Sequence, residues 1–427
     1  MANNVLRFLS LWISHLNQNS CIIMAVRKWF MPADWAHHAG CWMLTPYRND
    51  NWRLDAKPAQ KAFLSVALAI AQFERVNLGV HPCIAESFRT VIAESGVNIT
   101  ANFGIELFEV EYEDSWMRDV GPTVLINRPD ASCTTQAVSP ELESTKEKLQ
   151  TSTAPLIGMD WIFNAWGGLY DDCTHDDLVA SVVIDRINAT ATSYQQMDRI
   201  KADFVLEGGS IHVDGEGTVL VTEECLLNEN RNPNLSKTQI EERLRLCLGV
   251  DTIVWIPKGL AADEDTNGHI DNIACFAKPG VVLLSWSDDV SDIMYAICRE
   301  AYEILTHAVD AQGRTLTVVK LPLPAPMYYT AEECGGETAV AGGYAREVNS
   351  RMAGSYINFY IANGGIVLPG FGQPEADARA VQVLEEVFNN GCEEKRYKIV
   401  QVAGCREILL GGGNIHCITQ QQPTPLA

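Results

Sequence analysis

The stretch VVLLSWSDDVSDIMYAICREAYEILTHAVDAQGRTLTVVKL, residues 281–321, sets the fold class. Val281 to Trp286 is a short apolar run of the kind that forms a buried strand, and Leu316 to Leu321 is another. Between them, Val290 to Val309 has helical spacing. It follows the Asp288–Asp289 pair, and acidic residues suit the positive end of a helix dipole. A strand, a helix and a second strand in this order predict an α/β protein.

The same alternation runs outward in both directions. Ile253 to Pro257, Ile366 to Pro369 and Tyr397 to Val402 read as further buried strands. Pro58 to Phe73 is Ala-rich, with its apolar residues on one side. Ser236 to Leu248 opens with Ser236 and Gln239 three residues on, the signature of a capping box. Pro374 to Phe388 has Pro near its start and Gly391 just past its end. The recurrence hints at repeated β-α-β units, without identity-level repeats. Thr134 to Thr153 (TTQAVSPELESTKEKLQTST) is polar and predicts a mobile surface insertion. No linker divides the chain.

The 427 residues are 47% hydrophobic and 20% charged, which is the composition of a globular protein with a sizeable core. No run of about 18 apolar residues predicts a transmembrane helix. A formal net charge of −22 repels nucleic acid and anionic membrane. Such a surface would attract a small cation, although by charge alone a merely solvated acidic surface is the favoured reading. The 13 cysteines form no CxxC pairs, which argues for free thiols in a reducing compartment. Residues 1 to about 25 are expected to be a poorly ordered extension, followed by one domain over 26–427. The apolar patch Leu6 to Ile13 is too short for a secretory signal, and Met24 could open a globular chain.

Four polar stretches carry chemistry: EDSWMRDVGP (113–122), FVLEGGSIHVDGEG (204–217), DEDTNGHIDN (263–272) and GGGNIHCITQQQP (411–423). Each has a plain explanation as a turn, a cap or a surface ion pair. Together they combine carboxylates, a histidine and a thiol. A thiolate is a strong nucleophile and a histidine moves its protons. Carboxylates around a thiol should raise its pKa and weaken it. The combination makes sense if the substrate is a planar cation, because a guanidinium pairs bidentately with carboxylates. A metal is the rival reading of His269-x-Asp271, but hard-metal sites rarely include cysteine.

Longer motifs surround these stretches: MPADWAHHAGCWMLTPYRNDNWR (31–53), DSWMRDVGPT (114–123), FNAWGG (163–168), LEGGSIHVDGEGTVLVTEECLLNENRNPNLSK (206–237), DEDTNGHIDN (263–272) and SYINFYIANGGIVLPGFG (355–372). With the C-terminal motif at 411–423, they make the chain resemble the agmatine deiminases, most of all the plant members, within the guanidine-modifying superfamily. The resemblance covers roughly residues 29 to 423. It implies a five-bladed α/β propeller of ββαβ units. It implies hydrolysis of agmatine to N-carbamoylputrescine and ammonia, in putrescine and polyamine synthesis, without metal or cofactor. A cytoplasmic homodimer is expected.

Carried over by position, Cys417 resembles the nucleophile, formed into an S-alkylthiouronium with the substrate, and His269 the general acid/base. Glu207, Asp119 and Asp271 resemble the carboxylates that hold the guanidinium. Trp116 resembles an aromatic wall, and Gly412 and Gly413 allow close backbone approach, with Asn414 orienting the loop. His416 is expected to be structural, because neighbours in a strand face opposite ways. Thr45 departs from the family pattern, which has Trp before Pro46, and would reshape the pocket if it lines it. Free arginine and peptidyl-arginine are alternative substrates, with Arg118, Arg346 and Arg351 as possible carboxylate clamps. A non-catalytic binding protein is the alternative of another class.

Overall fold

The computed structural model describes residues 29–128, 137–190, 192–335, 346–390 and 396–426. The extension expected for residues 1 to about 25 lies outside them, as do residues 134–136 of the polar segment. The strands fall into five sheets, each of three or four strands. The fold is mixed α/β, as the alternation predicts.

A single connectivity recurs five times. In the stretch quoted above, strand Ala274–Lys278 runs antiparallel to Val281–Trp286. Helix Met294–His307 then crosses over to Thr317–Pro322, which pairs parallel to the second strand. Tyr360–Ala362 and Gly365–Pro369 repeat the pattern with helix Pro374–Asn389 and strand Lys398–Val402. His212–Val213 and Thr218–Thr222 do so with Lys237–Leu248 and Thr252–Ile256. Thr123–Asn127 and Leu156–Ile162 do so with Asp176–Thr190 and Met197–Val205. The fifth unit joins the two ends of the chain. Gln420–Pro423 runs antiparallel to His38–Leu44, helix Lys57–Ile70 follows, and Val76–Val80 pairs parallel. The C-terminal segment is therefore packed because it supplies a strand to the N-terminal sheet.

Local chemistry explains the helices. Met294, Ile297, Cys298, Ala301 and Leu305 recur at three- and four-residue spacing and are the face that Met294–His307 buries. The Ser236 hydroxyl accepts the Gln239 backbone N–H while the Gln239 side chain accepts the Ser236 N–H, so the expected capping box is formed. The polar segment differs from expectation. Pro140–Leu142 and Glu143–Thr151 are helical, and Leu142 and Leu149 are buried. Two leucines seven residues apart suffice to dock a short helix whose other residues are polar.

Every described cysteine is a free thiol and most are buried. No helix among the described residues is long and apolar enough to cross a membrane.

Candidate active site

Each of the five units is entered through a loop just before its first strand, and those loops supply the polar cluster. Cys417 precedes Gln420–Pro423, Asp119 precedes Thr123–Asn127, and Glu207 precedes His212–Val213. His269 and Asp271 precede Ala274–Lys278, and Asn358 precedes Tyr360–Ala362. Four of these loops are the four polar stretches of the sequence. The fifth, with Asn358, lies in the SYINFY motif but carries no charge to single it out.

A narrow cavity opens onto the cluster, with Asp119, Cys417, Trp116, Trp166 and Tyr170 on its wall. Glu207, His269 and Asp271 stand behind that wall, at 0%, 0% and 1% exposure. Two glycines let these groups converge. A Cβ on Gly209 would lie 2.5 Å from His269 Nδ1, 3.0 Å from Asp119 Oδ1 and 3.1 Å from Asp271 Oδ2. A Cβ on Gly413 would lie 2.6 Å from Trp116 Cζ3 and 3.0 Å from Cys417 Sγ. Any side chain at either position would occupy the space where these atoms meet.

Asp119 accepts the Gly209 N–H at 2.8 Å and the Trp166 indole N–H at 2.9 Å. Burial pushes its carboxyl up to about 6, against the charge of His269, with Asp271 and Glu207 adding to the rise. Glu207 receives Arg231 Nε on Oε1 at 2.5 Å, a pair with no exposure on either side. Arg231 is held in turn by the side-chain oxygens of Asn230 and Asn267, each at 2.7 Å.

His269 Nδ1 lies 3.9 Å from Asp119 Oδ1, and Nε2 lies 3.9 Å from Glu207 Oε2. Burial would lower its pKa, but Asp119, Cys225 and Glu207 raise it well above the usual imidazole value. Its backbone N–H is anchored on Asp263 Oδ2 at 3.1 Å. The Cys417 thiol is raised well above its usual value by burial first, then by Asp271 and Asp119; the Asn358 amide opposes this. The sequence-based expectation that carboxylates would hinder thiol ionisation therefore holds in the free site.

The buried acceptors are only partly used. Glu207 Oε2 and Asp271 Oδ1 have no hydrogen-bond partner among the described residues, and neither ring nitrogen of His269 has one. Buried polar atoms are normally satisfied, so unpaired acceptors in a cleft mark a place where a donor binds. Cations fit them better than neutral donors do.

One argument is corrected and one condition is not met. His416 and Cys417 lie in a turn, since the strand begins only at Gln420. The alternation argument does not apply there, and both side chains reach Asp271 Oδ2, His416 Nδ1 at 2.8 Å and Cys417 Sγ at 3.5 Å. Thr45 does not line the cavity. It is fully buried and its hydroxyl donates to the Gly79 carbonyl at 2.9 Å.

Of the proposed carboxylate clamps, Arg118 donates Nε to the His416 carbonyl at 3.2 Å and is not on the cavity wall. Arg351 pairs with Asp292 at 2.6 Å. Arg346 does line the cavity, paired with Asp265 at 2.7 Å. Sequence reasoning did not assign roles to Trp166, Arg231 or Asn358, although all three stand in motifs it quoted. Nothing in a linear motif says which atom meets which.

The family model of the Porphyromonas-type peptidyl-arginine deiminases matches residues 30–423. The chain is also 46% identical over 402 residues to an agmatine deiminase of Stutzerimonas stutzeri, covering 93% of this chain and 96% of that one. It is 43% identical over 393 residues to an agmatine deiminase of Medicago truncatula, covering 92% and 96%. Among solved structures, the agmatine deiminase of Enterococcus faecalis superposes with a TM-score of 0.78 at 36% identity, covering 93% and 97%. The chain belongs to the agmatine deiminase family and is an enzyme of that family. The bacterial and plant relatives match it at similar identity.

Proposed function

We propose that this chain hydrolyses agmatine to N-carbamoylputrescine and ammonia through a covalent intermediate on Cys417. The observation that carries this reading is the pair of unpartnered buried carboxylate oxygens, Glu207 Oε2 and Asp271 Oδ1, beside a thiol and a histidine. A guanidinium supplies forked donors for both and a carbon for the sulfur.

The bound cation offsets the carboxylates and lowers the thiol pKa, so the thiol gives its proton to solvent water as substrate arrives. The thiolate attacks the guanidinium carbon, forming a C–S bond. His269, charged in the free site, gives its proton to one terminal nitrogen. The C–N bond breaks, ammonia departs and an S-alkylthiouronium remains. Neutral His269 then takes a proton from water, whose oxygen attacks the same carbon. The C–S bond breaks as the new hydroxyl becomes a carbonyl, its remaining proton passes to solvent water, the thiolate is restored and the ureido product leaves. Asp119, Glu207 and Asp271 hold the guanidinium, Trp116 flanks it, and Gly413 admits it close to the backbone. Every step is completed by these side chains and water.

The wall of the cavity favours an amine over a carboxylate. Apart from Asp119, it carries Asp50, Asp114 and Asp265 against Arg48 and Arg346, and each arginine is paired with an aspartate. A net negative wall suits a dication and disfavours the carboxylate of free arginine.

The same reading treats the five ββαβ units as blades of a pseudo-symmetric propeller within one domain, 26–427. It places the protein as a cytoplasmic homodimer in putrescine and polyamine synthesis; light scattering checks the dimer. The deciding test is mass spectrometry of metal-free incubations with agmatine, arginine and a blocked arginine peptide, with Cys417→Ser as control. Carbamoylputrescine from agmatine, lost in the control, supports the reading. Turnover of another guanidine moves the substrate, and binding without turnover of any favours a binding protein.

A further inference from the structure

The buried polar cluster extends past the residues that the reaction uses. His416 Nδ1 lies 2.8 Å from Asp271 Oδ2, and its Nε2 lies 3.2 Å from Asp34 Oδ2. Asp34 belongs to the opposite end of the chain, yet it is buried with the others. Gln421 Nε2 donates to Asp34 Oδ1 at 2.8 Å, and His212 Nε2 faces Asp34 Oδ2 at 3.5 Å.

Asp34, His212 and His416 place three metal-type donor atoms within 4.8 Å of one another. The hydrogen bonds argue against a cation between them. His212 Nδ1 accepts the Phe276 backbone N–H at 3.2 Å, so the ring proton sits on Nε2 and points at Asp34. A metal there would meet a proton in place of a lone pair.

His416 faces a different demand. Both its nitrogens lie against carboxylate oxygens. A neutral ring can donate to only one and would set a lone pair against the other anion. The charged ring satisfies both. The remaining groups around it are Arg118, whose charge opposes a cation, the stacked His212 ring at 6.0 Å, Cys275 and Cys417. Burial and Arg118 lower the His416 pKa, but Asp271 and Asp34 outweigh them and raise it. Burial would raise the Asp271 carboxyl, yet the His416 hydrogen bond and charge hold it below the usual range.

We propose that Asp34 and His416 are a positioning pair for the deimination: an imidazolium clamped between two aspartates ties up Asp271 Oδ2 and leaves Oδ1 for the substrate guanidinium. The unpartnered state of Oδ1 is the second half of this geometry. The pair explains how a buried Asp271 stays ionised and fixed beside Asp119 and Glu207 with no substrate cation present. Asp34 anchors the cation from behind. The pair's role rests on agmatine turnover as proposed above, whereas the charge on His416 does not.

Two measurements on the full chain test it. NMR of histidine-labelled protein, with His416→Gln to assign the signal, should show both ring nitrogens of His416 protonated at about pH 7, above the ordinary imidazole value of about 6.5. A neutral ring at about pH 7 would overturn the proposal. Asp34→Asn keeps the shape and removes the anchoring charge. It should lower kcat/KM for agmatine about 10–100-fold, mainly through KM, with the loss growing above about pH 7 as His416 deprotonates. Asp34→Glu should restore part of the alkaline activity. An equal loss at every pH, or no loss, would sink the positioning role. If the unmodified protein fails to turn over agmatine, the functional reading falls, while the NMR signal still decides the state of His416.

Discussion

The side chain of Asn358 grips the Cys417 turn at two points. Its Nδ2 donates to the Cys417 sulfur at 3.0 Å, and its Oδ1 accepts the backbone N–H of His416 at 2.9 Å and of Cys417 at 3.2 Å. One uncharged residue thus fixes where the sulfur sits and favours its ionised form. Asn358→Leu should lower kcat about 10–100-fold with little change in KM. Alkylation of Cys417, followed against pH, should need a more alkaline solution than in the unmodified protein. Unchanged alkylation would show that the contact does not tune the thiol.

Asp119 sets a pH limit. Its carboxyl is raised to about 6, so the free enzyme carries it protonated below that pH. Guanidinium binding needs the carboxylate, and kcat/KM should fall as pH drops through about 6. Stability runs the other way. A folded pKa above the unfolded value makes a contribution that is full below the unfolded pKa and lost as pH rises through the folded one. Asp119→Asn should therefore abolish activity yet raise Tm at about pH 8, with little effect at about pH 4. A Tm that falls equally at both would mean that its hydrogen bonds to Gly209 and Trp166 outweigh its charge.

Arg231 and Glu207 form an ion pair without solvent. Removing one partner strands the other charge. Arg231→Leu should destabilise the fold by about 3–5 kcal/mol in denaturant unfolding, and it should depress activity because Glu207 loses the partner that holds it in place. A loss below about 1 kcal/mol would mean that water reaches Glu207 in the variant.

Gly413→Ala adds a single methyl group where Trp116 and Cys417 leave no room. Either the indole or the turn must shift. Steady-state assays should show about a 100-fold loss in kcat/KM, while Tm falls by only a few degrees because the shift opens toward the cavity. Full activity would show that the turn can yield without moving the sulfur.

Much of this was legible in the chain. The strands at 253–257, 281–286, 316–321, 366–369 and 397–402 were each found within a residue or two, because buried parallel strands read as apolar runs. The helices at 58, 236 and 374 announced themselves by period, and the one at 236 by its cap as well; the helix expected from Val290 begins only at Met294, with no acidic residue in its first turn. The described part of the polar segment at 134–153 is largely exposed, as expected, but it is helical, with Leu142 and Leu149 buried. The argument for His416 failed because its neighbours resemble a strand, and only hydrogen bonding shows that the strand starts at Gln420.

The sequence by itself determined the alternation of strand and helix, the family, and the four charged loops that carry Cys417, His269, Asp271, Glu207 and Asp119. Those are properties of local pattern and residue type. The tertiary structure decided which atoms remain unpaired, that Asn358 joins the four charged loops, and that Asp34 and His416 stand behind Asp271. Such facts arise where segments from both ends of the chain are packed within a few ångströms in a site with little water. There a hydrogen bond to one oxygen of a carboxylate decides what the other can do, and residue order carries no record of that choice.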